Sequence, residues 1–169
     1  DIIFRPLTAN GTAANWTRSR ANIAAIYVQD QIKLSPMFEI VAGLRFDRFE
    51  LDVTNRNNGA EFGRTDNLWS PRLGLLFKPR DNLSFYASYS RSYLPQSGDQ
   101  FGSLDLTTEA MKPERFDNYE LGAKWEPIDG LLATAAIYRL DRTNTRFQVS
   151  PGVFELTGEQ RSKGIELGL

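Results

Sequence analysis

The chain has 169 residues, 41% of them hydrophobic, and its 20 basic and 21 acidic residues leave a formal net charge of -1. That length allows one domain with a sizeable core, and balanced charge without a basic run sets nucleic acid aside as a partner. The absence of cysteine and histidine removes disulfides, thiolate metal sites, a Ser-His-Asp triad and a near-neutral proton shuttle from this chain, so the expectation is a protein that is not an enzyme and has no cofactor of its own.

The N-terminal DIIFRPLTANG lacks the basic start and apolar centre of a signal peptide. No stretch approaches the ~20 consecutive apolar residues of a membrane-spanning helix. A closed β-barrel crosses a bilayer with strands of only ~9 to 11 residues and a weak hydropathy signal in each, so low mean hydropathy leaves that route open.

Apolar residues recurring every second position predict seven strands, at about 21–34, 37–50, 68–78, 83–93, 116–126, 131–142 and 158–169. The first pair is separated by Ser35-Pro36, the second by Pro79-Arg80-Asp81-Asn82 and the third by Pro127-Ile128-Asp129-Gly130, all turn chemistry. The other gaps, 51–67, 94–116 and 143–157, read as long polar loops. Short and long connections alternate, which puts all tight turns at one end of an up-and-down antiparallel sheet. Outer-membrane barrels share this asymmetry, with short periplasmic turns and long extracellular loops.

Each strand has an apolar and a hydrophilic face. In the second, Phe38, Ile40, Ala42, Leu44 and Phe46 oppose Glu39, Val41, Gly43, Arg45 and Asp47. In the third, Trp69, Pro71, Leu73, Leu75 and Phe77 oppose Ser70, Arg72, Gly74, Leu76 and Lys78. Phe38, Phe77, Phe85 and Trp125 lie beside the short turns, whereas Phe46, Trp69, Tyr89 and Tyr119 lie beside the long loops, as two interfacial girdles would. A soluble β-sandwich also alternates and remains the second reading. Three irregularities stand out: Asp30 shares the apolar face of the first strand, the sixth strand fits either phase, and the apolar parity switches after Asp47 to Phe49, Leu51 and Val53. That switch predicts a β-bulge or the point where the strand leaves the bilayer.

The segments YVQDQIKLS (27–35), GLRFD (43–47), WSPRLGLLFKP (69–79), SFYASYSRSYLPQ (84–96), MKPER (111–115), YELGAKWE (119–126), AAIYRLDRTN (135–144) and GEQRSKGIELGL (158–169) resemble, in order, the barrel of a TonB-dependent ferric-siderophore receptor. The resemblance implies an all-β, up-and-down antiparallel transmembrane barrel of 22 strands, plugged by an N-terminal domain, in the bacterial outer membrane. It implies active uptake of a ferric siderophore, energised by TonB and its inner-membrane motor proteins. Outer-membrane lipid and lipopolysaccharide would surround the intact receptor, a monomer. On this reading residues 1–169 are an internal piece of about seven strands, lacking plug domain and C-terminal strands.

A vestibule for a polar, often anionic chelate calls for aromatic faces and cationic or amide donors. The rim and loops supply Arg91, Tyr93, Gln96, Phe101 and Arg115 as candidate ligand contacts, with Arg56, Phe62 and Arg64 on the preceding loop. Arg45, Arg72, Lys78, Glu120, Lys124 and Glu126 read as lumen-facing, forming wall ion pairs or touching the plug. Glu50/Asp52 and Asp141/Asn144 offer oxygen ligands without the dense spacing and central glycine of an EF-hand loop, so no metal site is expected. Same-face Glu120 and Glu126 lie about 20 Å apart on one strand, too far for a glycosidase pair. Three classes stay open: siderophore transport, a soluble β-sandwich binding or adhesion module, and an outer-membrane barrel enzyme, against which the missing histidine counts.

Overall fold

A computed structural model describes residues 17–95, 112–150 and 153–169. Among the described residues nine strands run in chain order: β1 (Thr17–Lys33), β2 (Phe38–Asn55), β3 (Glu61–Arg80), β4 (Leu83–Leu94), β5 (Glu114–Ile128), β6 (Leu131–Thr143), β7 (Thr145–Ser150), β8 (Val153–Thr157) and β9 (Gln160–Gly168). Seven form one antiparallel sheet in the order β1-β2-β3-β4-β5-β6-β9, every neighbour a sequence neighbour except where the separate β7-β8 hairpin intervenes. The seven strands expected from alternation are these seven.

The registers reveal a stagger. One cross-strand row reads Asp30, Ala42, Leu73, Tyr89, Tyr119, Arg139, Lys163. Ala42 stands four residues beyond Phe38, the first of β2, whereas Arg139 stands eight residues beyond Leu131, the first of β6. The turn edge thus drops four residues over four strands. One residue of about 3.3 Å per interstrand step of about 4.8 Å is a tilt of about 35°, at the edge of the roughly 35–45° of membrane barrels. The same slope accounts for Asp30: it sits at the low end of the row, near the β1-β2 turn, and binds the Gln31 N–H through its own Oδ1 at 2.8 Å.

Large apolar side chains stay exposed on one face: Ile26, Val28, Leu44, Trp69, Leu73, Leu121, Ile137 and Ile165 all share it, by register. A sheet that leaves these in water would be an aggregation surface; in lipid it is a barrel exterior. On this outward face Phe38 stacks on Phe77 with centroids 4.6 Å apart, while Phe46 packs tilted against Trp69 at 4.7 Å and Tyr89 tilted against Tyr119 at 5.0 Å. Each is a directly opposed cross-strand pair, worth about 0.5–1.5 kcal/mol beyond area burial. The phase of β6 is settled as well: Ala133, Ala135, Ile137, Arg139 and Asp141 face outward with Trp125, Ala123, Leu121, Tyr119 and Asp117.

Two turns share a device. Phe77-Lys78-Pro79-Arg80-Asp81-Asn82-Leu83 and Trp125-Glu126-Pro127-Ile128-Asp129-Gly130-Leu131 both place an aromatic two residues before a proline. In both, the register shifts between the aromatic and the residue after the proline. Proline cannot donate to a ladder, and a bulge accommodates it. Gly130, at φ +82°, takes the left-handed corner of the second turn. The turns are tied together: the Glu126 N–H donates to the Asn82 carbonyl at 2.8 Å, and Asn82 Nδ2 donates to the Glu126 carbonyl at 3.1 Å.

The connection expected as a long loop over 51–67 is mostly strand. β2 and β3 pair continuously from Phe38 and Phe77 to Thr54 and Glu61, leaving 56–60 as the connection. There is no bulge at Asp47, because neither register through β2 shifts. Parity therefore carries Phe49, Leu51 and Val53 to the inward face, where they are buried with Phe62 packed against them. Beside them lies the buried Arg64–Asp66 pair, its second contact, Nη2 to Oδ1, at 2.8 Å. Apolar residues switch faces where the strands leave lipid. The 143–157 loop likewise holds the β7-β8 hairpin, and 96–111 of the 94–116 loop falls outside the described residues.

Candidate functional site: the inner face and its extracellular mouth

The inward face carries the charges that alternation puts opposite the lipid. Lys78 Nζ donates to Glu39 Oε1 at 2.9 Å and Gln31 to Oε2 at 2.7 Å, while Arg45 pairs with Asp47 at 2.6 Å. Tyr86 donates its hydroxyl proton to Glu120, and Lys124 lies 5.8 Å from the Tyr86 ring centroid. Further out, Arg142 pairs with Glu114 at 2.6 Å and covers the Phe116 ring at 5.4 Å. The wall ion pairs expected of Arg45 and Lys78 are thus seen; Glu120 is bound by a tyrosine, and Arg72 has no carboxylate partner among the described residues.

Two inward tyrosines lie flat over glycines of the next strand. A Cβ on Gly122 would come within 2.4 Å of the Tyr86 ring, and one on Gly164 within 2.5 Å of Tyr138. Each glycine is the register partner of its tyrosine or its direct cross-strand neighbour. A missing side chain makes the bed, and the ring covers backbone that a glycine would otherwise bare.

Toward the long loops the inward face of β1 to β4 is concave. A space of about 670 Å³ is lined by Ile23, Tyr27, Arg45, Asp47, Arg72 and Ser90, among others. Its flank is a seam. The β3-β4 ladder ends at Arg72 and Ser90, although β3 continues outward to Glu61 and β4 to Leu94. The cause is Pro71. The Lys78 N–H donates to Met37 of the β2 side at 2.7 Å, so by alternation the odd residues of β3 turn their backbone groups to β4. Pro71 falls on such a position and has no N–H to give.

Arg91 and Tyr93 border this space at the seam, together with Ser90 and Ser92. Their parity is outward, and Arg91 Nε donates to Asp117 Oδ1 at 2.7 Å, an oxygen that also accepts from the Tyr89 hydroxyl at 2.8 Å. Arg115, opposite Tyr93, lies 2.9 Å from Asp117 Oδ2 on the outward face and does not line the cavity. Gln96 and Phe101 lie outside the described residues. Arg64 and Phe62 are strand residues of the upper β2-β3 hairpin rather than loop residues, and Arg56 begins its connection. Glu50 is held by Arg48 at 2.8 Å and Asp141 by Arg139 and Arg161, both at 2.6 Å. Sequence reasoning passed over Ile23, Tyr27 and Gln29; they alternate with Ala24, Ile26 and Val28, and that parity was the signal.

The family model described as TonB dependent receptor-like, beta-barrel, matches residues 3–169. The probable TonB-dependent receptor BfrD of Bordetella pertussis is 34% identical over 92% of this chain and 22% of its own length. The probable TonB-dependent siderophore receptor PiuA of Acinetobacter baumannii is 32% identical over 86% of the chain and 21% of its own. The PiuA crystal structure superposes with a TM-score of 0.79, at 30% identity, covering 90% of this chain and 23% of that one. The chain spans about a fifth of the length of these relatives. With exposed apolar exterior, charged interior and aromatic girdles in place, the chain belongs to the TonB-dependent receptors of the bacterial outer membrane, as part of their β-barrel.

Proposed function

We propose that the intact receptor takes up a ferric siderophore across the outer membrane, energised through TonB, and that these residues form part of its wall and extracellular mouth. The observation that carries the reading is the concavity of about 670 Å³ on the inward face, its lining a mixture of apolar, aromatic, hydroxyl and guanidinium groups, in a chain whose relatives include a probable siderophore receptor. Arg72 offers it a guanidinium with no carboxylate partner among the described residues, Tyr27 an aromatic face, and Ser90 and Ser92 hydroxyls: the donors that an anionic chelate uses. Arg91 and Tyr93 contribute from the seam, and Gln96 and Phe101 keep their proposed role on the loop. Arg115, turned outward, fits a wall role better. A plug domain and the remaining strands belong to the intact protein on this reading, which would present no unpaired strand edge to lipid.

The test is iron-limited growth of a strain lacking the intact receptor, supplied with single ferric siderophores, with and without functional TonB. Growth lost on one chelate, and restored by the intact gene only when TonB works, is the expected result. Normal uptake of every iron chelate, with loss of a different nutrient, would replace the substrate class. Arg72→Ala in the intact receptor is expected to weaken chelate binding with the barrel still folded.

A further inference from the structure

We propose that the chelate taken up carries an aliphatic acyl arm, its anionic iron-binding head held at Arg72 and the arm lying along Ile23, Leu68 and Leu94 toward the extracellular mouth. The proposal rests on the transport reading and names the substrate class for the same cavity.

The first observation is a change of chemistry along the inward face. The row at the lower end of the cavity is Gln29, Gly43, Arg72 and Ser90, and the next is Tyr27, Arg45 and Ser70. Above them Leu68 stands opposite Asp47, and the row after that pairs Ile23 with Phe49. Leu94 lines the same space from β4, four residues beyond Ser90 and of the same inward parity. The cavity is polar below and apolar above. The Phe49 row lies six residues beyond the Gly43 row, about 20 Å at about 3.3 Å per residue.

The second observation is an exposure that the membrane does not explain. Above the girdle apolar side chains turn inward because the outside is water, and there Phe49, Leu51 and Val53 are buried to 3% or less. Ile23 and Leu94 share that inward parity yet stay 62% and 53% exposed, one on each side of Leu68. They line the lumen and not the lipid face. Apolar side chains left bare on a concave wall mark a surface that an apolar partner covers.

The third is charge. Of the guanidinium groups lining the cavity, Arg45 is paired with Asp47 at 2.6 Å and Arg91 with Asp117 at 2.7 Å. Arg72 has no carboxylate partner among the described residues, and Gly43, opposite it, adds no side chain to cover it. One open cation beneath an apolar shelf fits an anionic head with an aliphatic arm. A small free anion would leave the shelf in water, and an uncharged apolar molecule would leave Arg72 unanswered.

The test uses the intact receptor in detergent and equilibrium dialysis of iron-labelled chelates against receptor-free micelles, which cancels partition of the arm into detergent. Two ferric heads are used, a citrate dihydroxamate and a tris-catecholate, each carrying a decanoyl, a benzoyl or an acetyl arm. With a head that binds, the decanoyl form is expected to be held about tenfold or more tighter than the acetyl form, the effect of burying about two methylenes. The benzoyl form should gain less. The variant I23S/L94S, checked for heat-resistant gel mobility, should bring the decanoyl form down to the acetyl one, whereas R72Q should weaken all three by a common factor. Equal binding of the decanoyl and acetyl forms by the wild-type receptor would overturn the proposal even if the variants failed to fold. So would a decanoyl preference kept by folded I23S/L94S, a benzoyl form bound as tightly as the decanoyl one, or no binding of either head. TonB-dependent growth on a chelate without an acyl arm judges the transport reading separately, so equal arms in dialysis with such growth intact overturns this inference alone.

Discussion

Within β2 and β3 two regions share one unbroken register and reverse each other. From Phe38 to Phe46, and from Phe77 to Trp69, the apolar residues face outward and the charges inward; from Phe49 to Val53, and from Leu68 to Phe62, the apolar residues face inward. Nothing in the backbone changes between the two. The surroundings do: lipid outside below, water outside above. Parity in a membrane strand is therefore a record of the solvent on each side at each level, and a switch of parity without a bulge marks the edge of the bilayer.

The contrast is testable by charge placement. The largest expected effect is above the switch. Arg64→Met leaves Asp66 buried and uncompensated, at a cost of about 3–5 kcal/mol. Proteolysis of the intact receptor should then cut the upper β2-β3 hairpin while the barrel keeps its heat-resistant gel mobility. Next comes Leu73→Arg on the lipid face, 53% exposed in the sheet alone. It should lower barrel stability by about 2–4 kcal/mol if it stands near the bilayer midplane, read as a shift of the urea midpoint in folding from denaturant into liposomes. A neutral result there would put this face in water and break the comparison.

Smaller still is Gly122→Ala, which forces the Tyr86 ring off its bed. Overpacking of this kind costs about 1–3 kcal/mol, and Tyr86→Ala in the same background should recover part of it, a coupling that additive effects would exclude. The least effect belongs to Arg48→Ala, whose pair with Glu50 is exposed on the outward side above the girdle. An unfolding curve superimposable on wild type is expected; a clear shift would mean that this level is not bathed in water.

Much of the fold was legible because a period of two needs no tertiary information. The strands, the tight turns and the girdles follow from which residues alternate. What escaped was set by context. Glu61–Asn67 looks like loop because its strand positions are filled by Gly63, Thr65 and Asn67, poor cues until β2 is seen beside them. β6 was ambiguous since alanines occupy both faces, and only its pairing with β5 through Ala123 and Ala135 fixes the phase. Arg115 looked like a ligand contact because sequence places it near a loop; which side of the wall it faces depends on a register counted from Trp125, eleven ladder positions away from Leu94 at the mouth.

Pro71 has a mechanical meaning. Past Arg72 and Ser90 the outer ends of β3 and β4 run on without a ladder between them, so among the described residues the long β1-β2-β3 blade is hydrogen-bonded to the rest of the sheet only from below. A load applied to its tip bends the blade about that last rung instead of shearing the hydrogen bonds of β4 and β5. One residue without an N–H thus acts as an expansion joint, cut into the wall where a stiff rim meets a part that has to give.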